Sequence, residues 1–224
     1  DCALSGKMHL IGPDKLHGFQ DQLAFDPHGD PPEGDRAALN LDDGRHPIFP
    51  WEDGVPTASE RWPVVQEARA GSTTMIDADN LIEEKALEYL RSEDRKTNPW
   101  ALCVGFVAPH FPFVVPEPYY SMYYPEHADL PMNPPGHLEN LPVAARRIRQ
   151  ALNFDGYSED EIRRARAAYY GLITFLDDKI GRLLQTLEEQ GLLENTVVIH
   201  TSDHGESLGE HGLWRKMNFY EQSV

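Results

Sequence analysis

Val197 to Thr201 reads Val-Val-Ile-His-Thr, a short β-branched run that leads at once into Ser202-Asp203-His204-Gly205. A run of this kind predicts a buried parallel strand of an α/β sheet. In open α/β sheets ligands gather at the carboxyl ends of strands, so Asp203 and His204 are placed where side chains meet a ligand. A carboxylate oxygen beside a neutral imidazole nitrogen suits a divalent cation, with the remaining ligands coming from elsewhere. Gly205 lets the chain turn sharply after them. The competing reading is structural: Ser202 or Asp203 caps a following helix.

The elements upstream fit the same class. Ser158 with Glu161 three residues on predicts a capping box, opening a helix from Glu159 to about Gln190 that Gly191 closes. Ile162, Tyr169, Ile173, Leu176, Ile180, Leu183, Leu184 and Leu187 supply its buried stripe, and Gly171 and Gly181 allow close packing or a bend. Asp177-Asp178 lies mid-helix beside Lys179, where neighbours point apart, and reads as surface or structure. Helix, turn at Asn195 and strand make one αβ unit. A second helix is expected over Asp79 to Arg95, with Glu83, Glu84 and Glu88 facing out, before Asn98-Pro99. Trp100 to Val107 is a continuous apolar run and predicts a second buried strand ending near Ala108. Residues 4–19, 20–76 and 121–156 are rich in turn formers and read as connections and irregular segments, with Asp30-Pro31-Pro32-Glu33-Gly34-Asp35 the clearest breaker.

Those connections carry further chemistry. Lys7 and His9 are two apart and share a side if the piece is extended, giving a point charge and a proton or hydrogen bond that suit an oxyanion. His110 sits in Ala108-Pro109-His110-Phe111-Pro112-Phe113, whose prolines fix the backbone close to the strand end. Trp51, Trp62, His46 and Arg61 either line a pocket, for instance around a quaternary ammonium, or anchor a loop to the core. Tyr123, Tyr124 and His127 receive no role.

Charge narrows the partners. A formal net charge of −17 argues against nucleic acid or an anionic membrane, because both repel such a chain. Arg146, Arg147 and Arg149, and Arg163, Arg164 and Arg166, are basic only locally and read as a solvated loop or helix face. Cys2 and Cys103 are too few for a disulfide framework, and Cys103 reads as a buried thiol within its apolar run. No run of 18 apolar residues and no leader pattern is visible. Opening on Asp1 and stopping at Val224 just after a motif, the chain reads as part of something longer.

The string Ser202-Asp203-His204-Gly205-Glu206-Ser207-Leu208-Gly209-Glu210-His211-Gly212-Leu213-Trp214-Arg215-Lys216 resembles the metal-binding segment of sulfatases in the alkaline-phosphatase-like superfamily. Gly6-Lys7-Met8-His9 and Pro109-His110-Phe111-Pro112-Phe113 are similar to two further segments of that family. The resemblance implies an incomplete alkaline-phosphatase-like three-layer α/β/α sandwich, with residues 1–224 the central part of the catalytic domain. It puts Asp203 and His204 on a divalent cation, Ca2+ first and Mg2+ or Mn2+ after it. It puts Lys7, His110 and Lys216 on the sulfate, His9 beside the nucleophile, and His110 as candidate acid for the leaving group. The implied reaction is hydrolysis of a small-molecule sulfate ester through a covalent sulfate on formylglycine, made from a Cys/Ser-x-Pro/Ala-x-Arg motif that neither Cys2 nor Cys103 fits. The segment alone is therefore expected to be inactive, and a homo-oligomer of the full-length protein is left open. Gly12 to Phe19 and Lys216 to Glu221 look most like the choline-sulfatase branch, with His17 a pocket residue at most. The alternatives are a phosphonate monoester or phosphodiester hydrolase of the same superfamily, and a non-catalytic metal- and anion-binding homologue.

Overall fold

A computed structural model describes residues 1–10, 14–27 and 64–224. His46, Trp51, Arg61, Trp62 and the Asp30 to Asp35 cluster lie outside the described residues. The chain divides into two compact units, one of Asp1–Gly54, Ser72–Ala108 and Thr174–Val198, the other of Val55–Gly71, Pro109–Ile173 and Ile199–Val224.

The first unit is built on a parallel sheet of β1 (Cys2–Gly6), β2 (Asp21–Ala24) and β4 (Ala101–Gly105), in the order β2-β1-β4. The register runs Cys2 to Ala101 through Gly6 to Gly105 on one side of β1. On the other side Ala3 pairs with Asp21, and a shift falls between Leu4 and Ser5. Ala3, Leu4 and Ser5 are fully buried in this central strand. Residues 2–6 thus form a strand where a turn-rich connection was expected. Gly6 was read as a turn signal, but its role is close approach: a Cβ there would clash with the Gly105 carbonyl oxygen and the Ile82 side chain.

Helix α1 (Thr74–Leu90) packs on this sheet. It begins five residues earlier than the periodicity suggested, because Thr73 caps it by accepting the Ile76 amide, and a 3-10 turn at Glu93–Lys96 replaces its expected last turn. Glu83 does not face out. It is buried, pairing with the fully buried Lys179 ammonium at 2.7 Å and with Arg182. Strand β4 is shorter and less enclosed than the apolar run implied, with Ala101 exposed and the rest half-buried, because among the described residues it has a neighbour on one side only. Its Cys103 is a half-buried thiol that burial pushes upward in pKa, and neither cysteine is in a disulfide.

Asp79 is enclosed in the same unit, where its carboxylate oxygens accept the amides of Val107 at 2.7 Å and Ala108 at 2.9 Å. Burial pushes its carboxyl up to about 6 against those two amides and the charges of Lys179 and Lys7. A carboxyl raised on folding takes up its proton earlier in the native state, so this group weighs against folding above pH 6 and is relieved as pH falls from 6 towards 4. Relative to Asp79→Asn in the full-length protein, the wild type is expected to gain about 3 kcal/mol between pH 7 and pH 4 by urea denaturation. A gap independent of pH would contradict the raised pKa.

In the second unit β3 (Arg69–Ala70) pairs parallel with β5 (Val114–Val115), and α2 (Val143–Ala151) lies within the stretch read as irregular. Ala145 is buried in α2, Arg146 and Arg147 are exposed as expected of a solvated helix face, and Arg149 is not, being half-buried and paired with Asp155 at 2.5 Å. Helix α3 (Glu159–Glu189) matches its expected span. The Ser158 amide donates to Glu161 at 2.8 Å, the Glu161 amide donates to the Ser158 hydroxyl at 3.2 Å, and Gly191 takes a left-handed φ at the far end. Of the expected stripe Leu187 is buried while Ile173 and Leu184 are exposed, and the rest of the buried side is made by Ala165, Arg166, Ala167, Ala168, Leu172, Phe175, Lys179 and Thr186. Gly171 lets Tyr119 and Val115 approach, while Gly181 faces open space. Asp177 and Asp178 are exposed, as expected for a surface pair.

Residues 197–201 do not form a strand. Val197 is 87% exposed and Ile199 82%, since no strand among the described residues hydrogen-bonds to them, and a strand needs a ladder partner as well as apolar side chains.

Candidate anion and metal site

Lys7 and His9 lie just beyond the end of β1, in the first unit. The Lys7 amide donates to the Gly105 oxygen at 2.7 Å, and a side chain on Gly105 would overlap the Lys7 carbonyl. Asp26 Oδ2 accepts the amides of Met8, at 2.9 Å, and His9, whose φ is +56°. Two glycines and one carboxylate therefore set this turn. His17 is exposed on a separate turn held by the Asp14 carboxylate.

His110, Asp203, His204 and Lys216 belong to the second unit. Strand β4 ends at Gly105, so His110 stands five residues past it instead of at its tip. The His110 ring lies against Phe111, centroids 4.1 Å apart, with Nδ1 2.7 Å from the Phe111 carbonyl oxygen. That contact assigns the Nδ1 proton and turns Nε2 towards Lys216 as an acceptor. The Lys216 ammonium donates to Nε2 at 2.6 Å and sits 5.5 Å from the Phe111 ring centre. Two groups 106 positions apart in sequence are thus in direct contact. Next to Lys216, the buried Arg215 spreads its guanidinium 4.8 Å from the same ring. Burial lowers its pKa, against the pull of Glu206 and Tyr157.

The loop that delivers Lys216 closes on itself. Ser207 donates to the Arg215 carbonyl through its amide at 3.2 Å and its hydroxyl at 2.6 Å, and the Gly209 amide donates to Leu213 at 2.8 Å. Glu206 Oε1 accepts the Arg215 amide and, at 3.4 Å, the Leu208 amide. Burial raises the Glu206 carboxyl, opposed by those amides and by the Lys216 charge.

Asp203 and His204 start the same segment without a strand before them. His204 Nδ1 lies 2.8 Å from the Gly205 oxygen and donates to it, which leaves Nε2 facing Asp203 Oδ2 at 3.5 Å. In metal-binding histidines a backbone carbonyl often fixes one imidazole nitrogen in this way, so that the other serves as the ligand. The donor types fit a divalent cation as part of a ligand set. Among the described residues no three His, Cys, Asp or Glu side chains come together for one. Gly205 is required here because a Cβ would clash with the Gln222 carbonyl.

The residues read from sequence thus appear as three local groups: Lys7 with His9, His110 with Lys216, and Asp203 with His204. What sequence reasoning missed are the carboxylates behind them, Asp26, Asp79 and Glu206. Each acts on backbone amides through a turn, and such contacts leave no periodic signature.

A family model described as Sulfatase matches residues 36–224. The chain is 31% identical over 234 residues to the choline-sulfatase of Rhizobium meliloti (strain 1021), an alignment covering 99% of this chain and 43% of that protein. It is 34% identical over 227 residues to the multifunctional alkaline phosphatase superfamily protein PehA of Trinickia caryophylli, covering 94% and 42%. It therefore spans less than half the length of these relatives. In fold it is similar to the phosphonate monoester hydrolase SpPMH from Silicibacter pomeroyi, with a TM-score of 0.69 at 24% identity over 99% of this chain and 48% of that one. The expected alkaline-phosphatase-like α/β fold is present, with a partial sheet. The chain belongs to the sulfatase family.

Proposed function

We propose that the full-length protein hydrolyses sulfate monoesters of small molecules, and that Lys216 and His110 receive the sulfate group and its leaving oxygen. The observation that carries this reading is the 2.6 Å contact between Lys216 Nζ and His110 Nε2. A lysine ammonium gives a fixed positive charge for the nonbridging oxygens, where charge must be stabilised throughout an ester displacement. The imidazole supplies a proton site beside it. His110, once it carries a proton at Nε2, can donate it to the departing oxygen, while the ammonium keeps its proton and its charge for the nonbridging oxygens. Phe111 backs both groups and keeps water from one side of them.

Members of this family use a divalent metal ion. Asp203 and His204 would hold it here, with Ca2+ proposed first by family resemblance and Mg2+ or Mn2+ after it. Bound there, the ion would draw negative charge from the sulfate oxygens. By family resemblance Lys7 is proposed to contact the sulfate and His9 to lie beside the nucleophile. By family resemblance that nucleophile is formylglycine, and its motif lies at neither Cys2 nor Cys103.

Choline sulfate is the proposed substrate, supported by the likeness to a choline-sulfatase over 99% of the chain. The second reading is a phosphonate monoester or phosphodiester hydrolase of the same superfamily; a phosphonate monoester hydrolase shares this fold. The test is the release of inorganic sulfate from choline sulfate and from an aryl sulfate by the full-length protein. Release from choline sulfate is expected to be the faster. Release from the aryl ester alone would remove choline from the proposal.

A further inference from the structure

Glu206 stands outside the groups assigned above, yet it holds the residue immediately before Lys216. Its Oε1 accepts the Arg215 amide, and Arg215 has φ +70°. A non-glycine residue in that left-handed region sits about 1 kcal/mol above its ordinary conformations and stays there only while its surroundings insist on it. Three of the constraints are specific. The Arg215 carbonyl is fixed by Ser207, its guanidinium lies over Phe111, and its amide is fixed by Glu206. Without the last of these, Arg215 can relax towards negative φ, and that rotation swings the Cα–Cβ bond of Lys216 off the line to His110.

Resting on the function proposed above, we infer that Glu206 is a positioning residue for that reaction: its carboxylate pins the Arg215 amide and thereby holds the Lys216 ammonium on His110 Nε2. The pin is an acceptor effect, so it separates from the carboxylate's charge. Glu206→Gln keeps an oxygen of the same reach for the amide and removes the charge. Glu206→Met keeps the length and removes the acceptor, with an apolar chain that the enclosed site accommodates.

The experiment uses the full-length protein carrying 15N-histidine, with His110 assigned through a His110→Gln control and Lys216→Ala as the reference for a broken contact. Glu206→Met is expected to move the His110 Nε2 resonance to its Lys216→Ala position. Glu206→Gln is expected to leave it near the wild-type position. On a sulfate monoester that the wild type hydrolyses, Glu206→Met is expected to lose about 100-fold in kcat with KM changed less than about threefold, the order that misplacing a catalytic group by 1 Å produces. The Gln variant is expected to lose less than about fivefold. A wild-type resonance in Glu206→Met overturns the inference, and so does equal damage in both variants, which would assign the effect to charge. If the wild type hydrolyses no sulfate ester, the functional reading falls while the resonance still decides the positioning.

Discussion

Lys216→Ala in the full-length protein is expected to lower kcat/KM on sulfate monoesters by two to three orders of magnitude, about 3 kcal/mol of transition-state stabilisation. This is the scale seen when one preorganised donor to a developing oxyanion is removed. The geometry makes the loss specific. The ammonium is placed by a loop closed through Ser207, Gly209 and Leu213, and it ends on His110 Nε2 at 2.6 Å. Truncation leaves the loop's own hydrogen bonds intact, so the melting temperature should move little while turnover collapses. It also strips His110 of the group that faces and orients its Nε2. Steady-state kinetics with a thermal melt of the same sample checks both halves. Wild-type kcat/KM would remove Lys216 from the site, and a large loss of melting temperature would make the effect one of folding.

The second large effect concerns stability. Glu83→Ala is expected to destabilise the full-length protein by about 3–5 kcal/mol, because it leaves the Lys179 ammonium, 1% exposed, buried without its counter-ion. Phe175, whose ring centre is 4.6 Å from that ammonium, and the Asn80 side chain at 2.7 Å are too weak to replace a carboxylate. Burial acts to raise the Glu83 carboxyl, but the hydrogen bonds and charges of Arg182 and Lys179 outweigh it and hold it below the usual range. A depressed carboxyl stabilises the fold above its unfolded pKa and loses that contribution as pH falls, the opposite sign to Asp79 in the same unit. Replacing both partners, Glu83→Leu with Lys179→Met, is expected to recover most of the loss, since a buried ion pair and a well-packed apolar pair are of similar worth. Urea denaturation of the single and double variants measures this. A Glu83→Ala cost below about 1 kcal/mol would show that water reaches Lys179.

Local signals in the sequence led to local structure. The Ser158 and Glu161 cap and Gly191 bounded α3 within a residue or two, because each acts on amides within one turn. Its buried stripe is legible only in part, at Leu187, because bulk is a poor guide to packing: Ala165 and Ala168 face inward, where small side chains let neighbours approach. Strands were less legible. Val197 to Thr201 has the composition of one without a partner, and Cys2–Gly6 is one whose glycine looked like a turn. The contact between His110 and Lys216 was approached through motif resemblance, since nothing in composition or periodicity links positions 106 apart. Glu206, Asp26 and Asp79 were passed over because a carboxylate that binds a turn from behind looks like any acidic residue in a chain of net charge −17.

The most direct measurement compares the rates at which the full-length protein releases inorganic sulfate from a sulfate monoester and phosphonate or phosphate from matched phosphonate monoester and phosphodiester substrates. Faster turnover of the sulfate ester, lost in Lys216→Ala and on removal of divalent metal by chelation, is the predicted result. Turnover of the phosphorus esters alone, or sulfate release indifferent to Lys216, would contradict it.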